Sequence, residues 1–96
     1  MTHIVMYKFP KGEFKEEYKN QAEEAFAKVK ADVPGVIDVK VLTNCVNRDV
    51  NYDLIVMVDL ENEEALNTYL PNPNHKAFSK EMDKYIVDKA RIDINL

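Results

Sequence analysis

Tyr52-Asp53-Leu54-Ile55-Val56-Met57-Val58-Asp59-Leu60 is the stretch on which the fold turns. Its aliphatic and β-branched residues mark a strand, and from Leu54 to Val58 both alternating sets are apolar. A strand apolar on both faces belongs in the middle of a sheet, and each face needs a cover. Upstream, Val36 to Asn44 alternates, with Ile37, Val39 and Val41 on one face and Asp38 and Lys40 on the other. That is a second strand, joined to the third through polar Asn47-Arg48-Asp49. His3 to Phe9, stopped by Pro10 and Gly12, is the first. At the far end Ala90, Ile92, Ile94 and Leu96 alternate with Arg91, Asp93 and Asn95, which makes a fourth.

Between the strands the period changes. Phe14, Tyr18, Ala22, Ala25, Phe26 and Val29 recur at three- and four-residue steps. This spacing predicts a helix of about 18 residues from Phe14. It ends near Asp32, because Pro34 disfavours helical backbone before it and Gly35 eases the turn. After the third strand, Asn62 is placed to cap a short helix whose first turn carries Glu63 and Glu64. Pro71 ends it. The chain turns at Asn72-Pro73 and restarts with Asn74 as cap, and Phe78, Met82, Tyr85 and Ile86 mark the apolar face of a third helix.

The order strand, helix, strand, strand, helix pair, strand is that of an α+β protein, a ferredoxin-like βαββαβ unit. A four-stranded antiparallel sheet with its helices on one face follows, as a single domain over residues 1–96. One helical layer leaves the other face of the sheet bare. That face would hold about seven apolar side chains, each forgoing roughly 1.5–3 kcal/mol if left wet. The expected cure is a two-fold homodimer, sheet against sheet, forming a dimeric α+β barrel.

Composition narrows the function classes. The net charge of -4 disfavours a grip on phosphate backbones, so no nucleic-acid partner is expected. No apolar run approaches the ~20 residues that span a bilayer, so no membrane partner is expected either. The single Cys45 forms no internal disulfide, which fits a reducing compartment and a cytoplasmic protein. Two histidines and one cysteine without metal-site spacing imply no metal, and the chain lacks a glycine-rich phosphate loop. Ser79 has no nucleophile elbow around it and reads as a solvated or capping serine.

Taken together, His3-Ile4-Val5, Val33-Pro34-Gly35-Val36, Tyr52-Asp53, Ala65-Leu66 followed by Tyr69, and Pro73-Asn74-His75 resemble the stress-responsive α/β-barrel (Dabb) family of small dimeric proteins. The resemblance runs over nearly the whole length, in the family's order. It implies a pocket between helices and sheet in which, as in the plant polyketide cyclases of the family, a histidine and a tyrosine act. His75 and Tyr69 stand at those motif positions as the implied catalytic pair, and His3 matches a pocket-side histidine. Tyr7, Phe26, Phe78 and Tyr85 would line the same pocket with His3 as substrate-binding residues. No cofactor is implied. Where the family often has a histidine before the proline, this chain has Asn72.

The residues themselves support a modest chemistry. A histidine in the first turn of a helix lies by the positive end of the dipole, which favours neutral imidazole and a working base. Tyr69 could orient that ring or donate to an oxygen as negative charge develops. The pair suits proton abstraction beside a carbonyl and aldol-type ring closure on a small, largely apolar molecule. A histidine at a helix start also packs or caps, and a tyrosine at helical spacing also serves as core. Three functions therefore stand side by side: a cyclase or lyase-like enzyme, a non-catalytic dimer that holds a ligand or serves a stress response through protein contacts, and a monooxygenase of the related barrels.

Overall fold

The computed structural model describes residues 1–95; Leu96, read above as part of the last strand, lies outside the described residues. The elements are β1 (Thr2–Lys8), α1 (Glu16–Asp32), β2 (Val36–Thr43), β3 (Leu54–Leu60), α2 (Glu63–Tyr69), α3 (Pro73–Met82) and β4 (Asp88–Ile94). The sheet order is β2-β3-β1-β4 with every neighbouring pair antiparallel. β3 thus sits between β2 and β1, inside the sheet as its composition requires, and the architecture is the α+β ferredoxin-like fold.

Burial along β3 alternates strictly, and Leu54, Val56, Val58 and Leu60 all point at the helices. They meet Val5 and Tyr7 of β1, Phe26 and Val29 of α1, Tyr69 of α2 and Met82 of α3 in one core. Register then fixes the opposite face. Ile4 lies between Met57 and Ile92, Met6 between Ile55 and Ala90, Leu42 opposite Ile55, and Ile94 opposite Thr2. Seven large apolar side chains, Ile4, Met6, Leu42, Ile55, Met57, Ile92 and Ile94, therefore share the face that no helix covers.

Ile37 departs from its expected place beside Val39 and Val41. A register shift between Val36 and Asp38 inserts an extra residue opposite β3, and Ile37 turns outward, 57% exposed, while Val36 takes the buried position. The long helix starts two residues later than its apolar pattern. Lys15 has extended backbone, so Phe14 precedes the helix and packs its ring on Phe9 and Tyr18. Asn62 caps α2 as expected, its side-chain oxygen accepting the Ala65 N–H at 2.9 Å. Close approach fixes Gly35 at the α1–β2 joint: a Cβ there would lie 2.4 Å from the Cβ of Ala65, so glycine lets α2 seat against the sheet.

Candidate functional site

The joint between α2 and α3 builds the site. Pro71 and Pro73 have no N–H to donate, so the helical ladder breaks at residues 70–72. Asn72, not Asn74, caps α3: its side-chain oxygen accepts the N–H groups of Asn74 at 2.9 Å and of His75 at 3.3 Å. Pro73 occupies the first helical position, where a missing N–H costs nothing. Asn74 instead donates from its side chain to Asp32 at 2.8 Å, tying α3 to the end of α1. With the Asn74 N–H engaged by Asn72, the carbonyl of Leu70 is left to accept from the His75 ring, at 2.9 Å from Nδ1. A carbonyl only accepts, so Nδ1 carries the proton and Nε2 is the basic nitrogen.

His75 is held below the ordinary histidine pKa of 6.5, chiefly by burial. The Leu70 carbonyl opposes that shift, while the neighbouring His3, Lys89 and Arg91 add to it. The helix dipole led to the same expectation of neutral imidazole, and burial is the largest of the causes seen in the structure.

Tyr69 closes the other side. Its ring centre lies 4.5 Å from that of His75 and 5.6 Å from that of His3. The side chain is wholly buried, and its hydroxyl has no hydrogen-bond partner among the described residues. Burial raises its pKa well above the usual tyrosine value, with Tyr7 and Asp93 adding to the effect, so it stays a protonated donor. His3, also buried, donates from Nδ1 to the carboxylate of Asp93 at 2.5 Å. Asp93 was not singled out in the sequence. It faces His3 directly across the β1–β4 ladder, on the helix side of a strand whose apolar residues face the other way.

Phe26 and Phe78 complete an aromatic wall. Their rings lie 5.5 Å apart, Phe26 is 6.3 Å from His75, and Phe78 is 5.8 Å from Tyr7. His3, Tyr7, Phe26, Tyr69, His75 and Phe78 are thus brought together. Tyr85 is not among them. α3 stops at Met82, and the following turn, closed by the Tyr85 and Ile86 N–H groups on the Met82 carbonyl, carries Tyr85 out to stack on Tyr18 at 5.1 Å. Ser79 accepts from Lys89 Nζ at 3.0 Å rather than serving His75, and Cys45 is exposed in the β2–β3 connection. A separate cavity of about 370 Å3, bordered by Met6, Leu54 and Ile55, opens at the Asn44–Asp53 end of the sheet. Among the described residues no group of three His, Cys, Asp or Glu side chains could hold a metal, and no helix is long and apolar enough to cross a membrane.

An antiparallel βαββαβ sheet bare on one face, with a His/Tyr cluster beneath a broken helix pair on the other, defines a ferredoxin-like domain of the α/β-barrel type. The chain belongs to the stress responsive A/B barrel (Dabb) domain family, whose sequence profile matches residues 1–96. A dimeric ferredoxin-like protein of unknown function from Thermobifida fusca is similar at TM-score 0.81 and 21% identity, over 99% of this chain and 89% of its own. Hydroxynitrile lyase from Passiflora edulis is similar at TM-score 0.73 and 14% identity, over 95% and 87%. SnoaB from Streptomyces nogalater, a cofactor-independent oxygenase, is similar at TM-score 0.70 and 12% identity, over 99% and 92%. At these identities the likeness is one of fold. The curated proteins hold no match to this sequence.

Proposed function

We propose that the chain, as one Dabb domain, forms a homodimer through the bare face of its sheet and binds a small, largely apolar carbonyl compound between helices and sheet. There His75 acts as base and Tyr69 as hydrogen-bond donor. One observation carries the reading: a histidine whose Nδ1–H is committed to the Leu70 carbonyl stands 4.5 Å, ring to ring, from a buried tyrosine with an unpartnered hydroxyl. Nε2 of His75 takes a proton from the carbon next to the carbonyl, and the electron pair moves onto the carbonyl oxygen. Tyr69 donates to that enolate oxygen, supplying stabilisation where charge develops. The enolate carbon then attacks a second carbonyl of the same molecule, and the new alkoxide recovers the proton from His75. His3, fixed by Asp93, and the rings of Tyr7, Phe26 and Phe78 hold the apolar body.

The dimer rests on the seven-residue apolar face and on the dimeric Thermobifida fusca relative. A second reading, ligand holding without turnover, is favoured by the close ring packing that leaves Tyr69 wholly buried. Deuterium uptake at the carbon beside the carbonyl of 2-octanone in heavy water, followed by proton NMR, separates the two. The wild-type protein accelerates uptake and folded His75→Ala does not. Equal rates in both proteins would remove His75 as the base, and no acceleration by the wild type would leave the ligand-holding reading.

A further inference from the structure

β4 runs along the sheet edge beside β1, and its alternation turns Lys89, Arg91 and Asp93 to the helix side, opposite Tyr7, Val5 and His3 in that order. Lys89 is half-buried while Arg91 and Asp93 are exposed, so the row borders the helical layer within reach of both solvent and protein partners. Two have them. Asp93 receives His3, and Lys89, its side chain 11% exposed, binds Asp83 at 2.9 Å and Ser79 at 3.0 Å while lying 5.5 Å over the Tyr7 ring. Arg91, between them, makes no ion pair and no side-chain hydrogen bond among the described residues. Its charge is nevertheless felt at the site, where it opposes the rise that burial imposes on Tyr7 and adds to the fall that burial imposes on His75.

A free guanidinium fork matches a carboxylate in two parallel hydrogen bonds. The molecule as a whole carries a net charge of -4, so an anion approaches this edge of the sheet only where local positive charge outweighs the rest. We propose that Arg91 is a specificity-determining residue that receives the carboxylate of an anionic carbonyl compound, with the reacting carbonyl placed between His75 and Tyr69. This rests on the carbonyl site proposed above and narrows its substrate class to keto acids with an apolar body. Lys89, held by Asp83 and Ser79, contributes field rather than contact. A charge on an edge strand also discourages strand addition. Any charged side chain at position 91 would serve that end, whereas carboxylate recognition requires this sign.

The test uses the full chain, 15N-labelled, titrated with 4-acetylbenzoate and with its neutral counterpart 4-methylacetophenone, the His75 and Tyr69 resonances reporting the site. The benzoate binds tighter by about tenfold or more in the wild type. Arg91→Gln brings the two probes together without changing the neutral one, and Arg91→Glu weakens the benzoate further. If the preference survives in Arg91→Gln, is missing from the wild type, or is reported by resonances elsewhere, the inference falls. The carbonyl site stands in that case as long as the neutral ketone still shifts His75. If neither ketone shifts His75, the site reading fails and takes the inference with it.

Discussion

Replacing Tyr69 with phenylalanine should stabilise the protein while removing its proposed chemistry. The Tyr69 side chain is wholly buried, and its hydroxyl has no partner among the described residues. Burying such a group unsatisfied costs about 1–3 kcal/mol, because it gives up water and gains nothing in exchange. Phenylalanine keeps the ring and hence its contacts with His3, Phe26 and His75. The expected gain is therefore about 1–2 kcal/mol after allowing for imperfect refilling of the space. In a domain of this size each kcal/mol moves the melting temperature by roughly 4–8 °C. Urea unfolding at a single fixed protein concentration is the assay, since a dimer's stability depends on concentration. The midpoint should rise with the slope unchanged. Deuterium uptake into 2-octanone should fall in the same variant, the pattern of a group kept for function at the expense of stability. A lower midpoint for Tyr69→Phe would instead mean that the hydroxyl is well bonded in the native protein, and the proposed role of an unpartnered donor would fall.

Two further outcomes follow from the fold. Gly35→Ala forces a Cβ to within 2.4 Å of the Ala65 Cβ and should cost about 1–3 kcal/mol in urea unfolding, most of it recovered in the Gly35→Ala/Ala65→Gly double variant. Met57→Lys places a charge at the centre of the bare sheet face, opposite Ile4, and should convert the sedimenting dimer to monomer at micromolar concentration while leaving the helical signal intact. A wild-type protein that sediments as monomer would refute the sheet-to-sheet dimer.

What the sequence revealed divides along physical lines. Local rules were legible: the doubly apolar Leu54–Val58 run, the Asn62 cap and the break at Pro71 each depend on a few neighbouring residues. The cap of α3 was legible in principle. Pro73 has a fixed φ and no N–H, so it suits the first helical position and makes Asn72 the cap. The outward turn of Ile37 was not, because the extra residue in β2 shows only against β3. Tyr85 continues the 3.6-residue period of α3 in sequence although the helix ends three residues earlier, so periodicity alone assigns it to the wrong wall. Asp93 and Arg91 needed the pairing of chain ends. Each faces its partner on β1 only once the β1–β4 register is known, and no local pattern distinguishes them from solvated strand residues.

His75 itself gives the sharpest test, through a pH titration of its side chain by long-range 1H–15N NMR. The ring is expected to be neutral at pH 7, with the proton on Nδ1 and a bare Nε2. Its midpoint is expected below 6.5, because burial, with His3, Lys89 and Arg91 close by, outweighs the Leu70 carbonyl. A proton on Nε2 in the neutral form, or a midpoint above 6.5, would contradict this expectation.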